Sequence, residues 1–351
     1  MNRRDFLKTG ALGVLALMGA GGLMETISAS PREVKLPHGR KIDIHAHAML
    51  PSYIEGLKEL GIDAAVEEGY PVPQWSEEAH LAFMTEAGID YTVLSLATPH
   101  IYNGDERLTC RVARKINEET AALCQKYPDK FGFVAALPFP SIEGSWQEIA
   151  YAMDELGALG VKIPSNARGI YLGDERWEKI FAELDRRKAL VIVHPSPAPQ
   201  VPRQGTVTGR VMALFEYPAD TTRAMLNLLA SGMLERYPRI KLVVPHCGSF
   251  LPYMKQRASA MFAMLSSMKM MEPVDMERSM QKLYFDLAGD PMPDALDMLL
   301  RITDKEHILY GSDYPYVPAK VLLGKKGALD QELAKREWLE QVYCQNPQKL
   351  I

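Results

Sequence analysis

The sequence predicts an α/β protein whose parallel strands close into a (β/α)8 TIM barrel, and three observations carry that reading. Short β-branched or apolar runs recur eight times after residue 38, helical stretches separate them, and no internal repeat, low-complexity tract or linker interrupts the series. Strands alternating with helices give parallel neighbours joined by right-handed crossovers, and eight such units close on themselves. An open doubly wound sheet is the competing fold, but no GxGxxG motif follows any strand, so its nucleotide-binding fingerprint is missing.

In chain order the strands are read at 41–45, 91–97, 131–137, 160–163, 190–194, 241–245, 282–286 and 307–310. Each is four to seven residues rich in Val, Ile, Leu, Phe or Tyr, as a strand buried on both faces requires. Helical spacing of apolar residues marks 105–127, 145–159, 175–188, 221–237 and 292–302. The stretch 49–75 is too long for an ordinary strand-to-helix connection. It carries Pro51, Pro71 and Pro73 with a short helical piece around 53–60, and it is expected to form an excursion over the barrel mouth. Residues 38–351 are thus read as one domain.

The first 29 residues stand outside that domain. Asn2-Arg3-Arg4-Asp5-Phe6-Leu7-Lys8 precedes an apolar run rich in Gly and Ala that ends at Met24, a pattern that resembles a twin-arginine signal peptide. The run is shorter and less hydrophobic than the ~20 strongly apolar residues that span a bilayer. Export in the folded state to the periplasm is therefore expected, with cleavage after Ala29 or retention as an uncleaved membrane tether. Cleavage there would remove three basic and two acidic residues and take the net charge from −4 to −5. A mildly acidic chain has no basic footprint for nucleic acid, so a small-molecule substrate is the expected partner. Cys110, Cys124, Cys247 and Cys344 form no CxxC pair and imply no disulfide framework.

In a barrel, chemistry sits at the C-terminal ends of the strands. Five groups fall there: His45 and His47 after the first strand, His194 ending the fifth, His246 ending the sixth, and Asp313 after the eighth. Residues at i and i+2 of an extended chain point to the same side, so His45 and His47 can share one ion. Imidazoles with one carboxylate suit zinc, with manganese as the other candidate, and leave a position open for water or substrate. Any one of these residues alone is as readily structural. Five at the same ends of strands one, five, six and eight point to a site for one divalent metal ion.

The set Ile42-Asp43-Ile44-His45-Ala46-His47, Leu50-Pro51, the stretch 131–138, Glu155-Leu156-Gly157 running to Gly160-Val161-Lys162-Ile163, Pro218-Ala219-Asp220-Thr221-Thr222, His246-Cys247-Gly248 and Gly311-Ser312-Asp313-Tyr314-Pro315 resembles the amidohydrolase superfamily, in its aminocarboxymuconate-semialdehyde decarboxylase branch. That resemblance implies a distorted barrel of the metal-dependent hydrolase type with His45, His47, His194 and Asp313 as ligands. It implies His246 as general base or acid, the alternatives being a fifth ligand or a core histidine, and a second, proton-relaying role for Asp313. Arg257 corresponds in spacing to an arginine that binds a substrate carboxylate across a dimer, so a homodimer is expected if it acts so. Lys162 stands where dinuclear members of the superfamily carry a carboxylated lysine. In this branch, with its single metal, it is read as structural or substrate-facing.

Asp286, ending the seventh strand, is a candidate to orient a catalytic histidine through a hydrogen bond. His100, beyond the second strand, is placed to touch substrate. His38 and His80 read as solvent-facing or loop histidines, and His307 as structural at the far end of the last strand. Met261, Met264, Met268, Met270 and Met271 suggest an apolar helix face or a dimer contact.

One departure limits the resemblance. The decarboxylase carries a second carboxylate-binding arginine shortly before the tryptophan that matches Trp75, whereas 51–75 holds no arginine and only Lys58. The aminocarboxymuconate substrate is accordingly not expected. Two chemistries remain: non-oxidative decarboxylation of an unsaturated or aromatic acid, the leading reading, and hydrolysis of a lactone, ester or amide. A carboxylate-directed pocket on Arg257 would favour the first, a neutral pocket the second.

Overall fold

The computed structural model describes residues 38–200 and 211–351, and the twin-arginine segment lies outside them. Eight parallel strands form one sheet: β1 Ile42–His47, β2 Tyr91–Ser95, β3 Phe131–Ala136, β4 Gly160–Pro164, β5 Leu190–His194, β6 Lys241–Val244, β7 Tyr284–Asp286 and β8 Ile308–Leu309. Neighbours in space are neighbours in sequence throughout. The last strand returns to the first through Ile44 N to Tyr310 O (3.0 Å), Asp313 N to His45 O (2.8 Å) and His47 N to Tyr314 O (2.8 Å), which closes the barrel. Asp43 ties the same seam, its Oδ1 accepting from the backbone N–H groups of His45 and Ser312 (both 3.1 Å). Burial pushes that carboxyl up to about 7.

Two apolar layers follow from the alternation of side chains. Ile42, Ile44, Val93, Val134, Ile192 and Val243 pack together inside the barrel, while Ala46, Leu94, Ala135, Val161, Val191 and Val244 pack outward against the helices. The close pairing of β4 with β5 depends on Gly160, where a Cβ would lie 1.9 Å from Leu190 O.

The helices fall where apolar periodicity places them: Glu106–Lys126, Glu178–Arg187 and Ala295–Leu299 with trimmed ends, and Ile142–Asp154 shifted toward the N-terminus of its expected stretch. The stretch read as a single helix at 221–237 is two, Glu216–Ala230 and Met233–Arg236, because Gly232 between them takes φ 66° and breaks the hydrogen-bond ladder. Glu77–Ala87 and Ala319–Lys335 are helices not marked in advance as elements, while Leu251–Ser267 is the helix after the sixth strand that carries Arg257, Met261 and Met264. The first corrects the reading of His80. That residue is fully buried, accepts a hydrogen bond from Trp75 Nε1 (3.0 Å) and lies against the rings of Phe131 and Tyr314. His80, Phe83, Met84 and Ala87 form a buried stripe at i, i+3, i+4 and i+7, a helical signal present in the sequence. The excursion folds as the helices Pro51–Glu59 and Ala64–Glu67. No helix of the described residues is long and apolar enough to cross a membrane.

Candidate metal centre

The local backbone of β1 aims its two histidines. Ile42 and Ile44 face the interior and Ala46 the outer layer, a change of side made by a register shift between Asp43 and Ala46 in the pairing with β2. Beyond this bulge His47 pairs with Ser95, and His45 and His47 both turn inward at the mouth. Their rings meet edge to face with centroids 5.1 Å apart, and His194 at the end of β5 lies 5.4 Å from His45 and 4.9 Å from His47. Asp313, after β8, completes the group: its Oδ1 is 3.1 Å from His47 Nε2 and 3.5 Å from His45 Nε2. One donor atom from each of the four residues lies within 4.8 Å of every other. His246 stands beside them, with Nε2 3.7 Å from Asp313 Oδ2.

Burial opposes protonation of His45, but the carboxylates of Asp286 and Asp313 raise its pKa to about 9, so a bound cation would displace its Nε2 proton. His45 Nδ1 is bonded to Asp286 Oδ2 (2.8 Å) and His47 Nδ1 lies 3.1 Å from Ser95 Oγ, which leaves each Nε2 facing the centre. His45 Nε2 and His194 Nε2 are buried without a hydrogen-bond partner, a cost that a bound cation would remove. Burial pushes His47 and His194 below the usual histidine range, which favours the neutral imidazole a metal needs. Burial would raise the Asp313 carboxyl, yet the His246, His47 and His45 rings hold it well below the usual carboxylate range. Three imidazole nitrogens and one ionised carboxylate therefore fit a divalent cation in chemistry and spacing.

Asp286 serves two residues at once. Its Oδ2 holds His45, and its Oδ1 accepts the backbone N–H groups of His246 (3.0 Å) and Ala288 (3.1 Å). Gly311 is what allows His45 and Asp286 to approach, since a Cβ there would meet His45 Cβ at 2.8 Å and Asp286 Cβ at 3.1 Å. Sequence reading missed Gly311 and Ser95, whose roles depend on strands distant in the chain.

Two cavities open at the strand ends. One of about 680 Å³ contains His194, His246 and Asp313, with Tyr70, Tyr217, Phe250 and Tyr316 among its walls. The other, about 610 Å³, is lined by His100 and Lys162. Lys162 is buried with Nζ 2.6 Å from His100 Nδ1, and His100 Nε2 donates to Pro195 O at 3.2 Å. The pair thus sits next to the four-residue group rather than within it. Arg257 is exposed on Leu251–Ser267 and lines neither cavity of its own chain. Residues of the excursion reach both cavities: Ile62, Glu67 and Glu68 one, Tyr70 the other. His307 pairs with Asp304 (2.7 Å) at the opposite end of β8.

A family model described as amidohydrolase matches residues 42–351, the whole barrel. The chain belongs to the amidohydrolase family. This amidohydrolase is 31% identical over 287 residues to a 6-methylsalicylic acid decarboxylase of Penicillium expansum, covering 81% of this chain and 87% of that protein. Among solved structures, it superposes on an amidohydrolase II crystal structure with a TM-score of 0.79 at 34% identity, over 88% of this chain and 99% of the other. A 5-carboxyvanillate decarboxylase of Novosphingobium aromaticivorans shares the fold, with a TM-score of 0.74 at 22% identity over 91% of this chain and 96% of its own, and that protein was crystallised with manganese. The match spans β1 to β8, and the relatives it brings include decarboxylases.

Proposed function

We propose that this amidohydrolase is a non-oxidative decarboxylase of an aromatic carboxylic acid, using one divalent cation held by His45, His47, His194 and Asp313. The observation that carries the reading is the convergence of these four residues, with His246, on a cavity whose walls include Tyr70, Tyr217, Phe250 and Tyr316. Aromatic walls suit a planar ring. The decarboxylase among its relatives supports the reaction class. Zinc is the first candidate ion and manganese the second, since imidazole and carboxylate donors serve both.

When bound, the cation would supply positive charge to stabilise the negative charge that develops on substrate oxygens. The protein's own residues manage the proton. Loss of carbon dioxide leaves the electron pair of the broken carbon–carbon bond on the ring, and a proton must arrive at that carbon to form the new C–H bond. Asp313 and His246, 3.7 Å apart, are the pair that can hold and deliver it. Asp286 fixes the His246 backbone from below, so the base and the ligand His45 move as one unit.

The test is metal analysis of the purified protein followed by a panel of aromatic acids, lactones and amides, with carbon dioxide and ring opening measured separately. About one metal per chain, lost in His45→Ala, together with stoichiometric carbon dioxide release, is the expected result. Turnover of lactones or amides alone would transfer the protein to the hydrolases, and a metal-free protein active on an acid would overturn the site. Arg257 lines neither cavity of its own chain, so a contribution from it would come across a dimer; sedimentation of the native protein together with the activity of Arg257→Ala tests this. Export through residues 1–29 is proposed with it, and fractionation of cells with and without a working twin-arginine system checks it.

A further inference from the structure

A histidine that binds a metal through one ring nitrogen is aimed by whatever holds the other. His45 has the Asp286 carboxylate and His47 has Ser95, but His194 has a backbone carbonyl, with Nδ1 3.3 Å from Pro195 O. A carbonyl can only accept, so Nδ1 carries the proton and Nε2, buried and unpartnered, is left as the donor. A bond of that length orients the ring only as well as the carbonyl itself is fixed.

The fold fixes that carbonyl and its neighbours from two sides. Asp220, fully buried on the helix Glu216–Ala230, gathers Ser165 Oγ (2.5 Å), Asn166 Nδ2 (2.8 Å), Tyr171 OH (2.6 Å) and Arg223 Nη1 (2.8 Å). Two of these partners pass the restraint on. Ser165 Oγ accepts the Ser196 N–H at 2.9 Å, and Asn166 Nδ2 also donates to Pro197 O at 3.2 Å. The Ser165 N–H donates in turn to His194 O at 2.9 Å. From the other side His100 Nε2 donates to Pro195 O at 3.2 Å, and buried Lys162 holds that ring through Nζ at 2.6 Å from His100 Nδ1. Every residue of 194–197 therefore has a backbone group tied to the loop after β4 or to His100. A buried carboxylate with four donors is an anchor, since removing it would strip them all of an acceptor.

We propose that Asp220 and Lys162 are positioning residues for the metal centre, clamping 194–197 from opposite sides and so aiming His194 Nε2. The inference rests on the metal site proposed above, and it gives a task to the motif at 218–222 and to the Lys162–His100 pair, neither of which the decarboxylation reading uses. Asp220→Ala would endanger folding, so the arms of Asp220 are cut one at a time. Ser165→Ala severs the arm that reaches Ser196, whereas Tyr171→Phe severs one of nearly equal length that stops short of 194–197. Lys162→Met releases His100. Zinc affinity is read by chelator competition, and cobalt(II) in the same site reports ligand geometry through its visible absorption, so neither readout requires turnover.

The expected result is zinc affinity about 10-fold weaker in Ser165→Ala and in Lys162→Met, with an altered cobalt spectrum, while Tyr171→Phe keeps both properties of the wild type. Melting temperatures of all three serve as the control on folding. Ser165→Ala and Lys162→Met proteins that bind zinc within twofold of wild type would overturn the proposal. So would a Tyr171→Phe protein that loses affinity as they do, because Asp220 would then act through general stability. A wild type that binds neither ion would overturn the metal site and the proposal with it. If zinc binds and the variants behave as expected but no acid releases carbon dioxide, the clamp stands and the decarboxylase reading falls.

Discussion

Replacing Asp286 by Asn leaves shape and volume almost unchanged and removes one negative charge from beneath His45. In the native protein Oδ2 accepts from His45 Nδ1 at 2.8 Å, which commits the proton to Nδ1 and leaves Nε2 as the free donor facing the other ligands. The carboxamide can still accept the N–H groups of His246 and Ala288 through Oδ1. Its NH2 would then face His45 and favour the tautomer whose proton sits on Nε2, where the metal should bind. Loss of such an outer partner costs about 10–100-fold in metal affinity, or roughly 1.4–2.7 kcal/mol. A chelator-competition titration of Asp286→Asn against wild type measures this directly, with the thermal midpoint as a control on folding. Asp286→Ala should add a loss of stability, since it also strips two buried backbone N–H groups of their acceptor. An Asp286→Asn protein that binds metal within twofold of wild type would refute the idea that this carboxylate sets the His45 tautomer.

Two further outcomes concern the scaffold. Gly160→Ala should lower stability by about 3 kcal/mol or more, because a Cβ 1.9 Å from Leu190 O forces β4 and β5 apart; a denaturation midpoint near wild type would show that the sheet yields more readily than this. His80 is held down to about 3 by burial and then by the charge of His47, whereas the unfolded chain titrates near 6.5. Its contribution is therefore complete above pH 6.5 and declines as the pH falls toward 3, amounting to roughly 2 kcal/mol lost by pH 5. Urea titrations at pH 6.5 and 5 should show that difference shrinking by this amount in His80→Gln, and an unchanged difference would remove His80 from the acid response.

Much of the fold was legible because it is written in local pattern. Every barrel strand lies within two residues of its sequence-read start, since a strand buried on both faces must be an unbroken apolar run. His45, His47, His194, His246 and Asp313 were legible as a set because a parallel barrel brings all strand C-termini to one face. The buried helix at Glu77–Ala87 escaped because Glu77, Glu78, Thr85 and Glu86 dilute its apolar stripe, and His80 looked polar when read alone.

What the sequence determined by itself is the period of each element, and with it the count of strands and the end at which their polar residues gather. The tertiary structure decided which side those residues face and what surrounds them. The bulge between Asp43 and Ala46 turns the β1 histidines inward, and without it the parity set by Ile42 and Ile44 would send them into the helical layer. The contact of Asp286 with His45 across 241 residues, the close approach at Gly311 and the left-handed backbone that seats His246 are equally non-local. Each follows from packing between segments remote in the chain, and a local pattern of hydrophobicity carries no information about the partner it will meet.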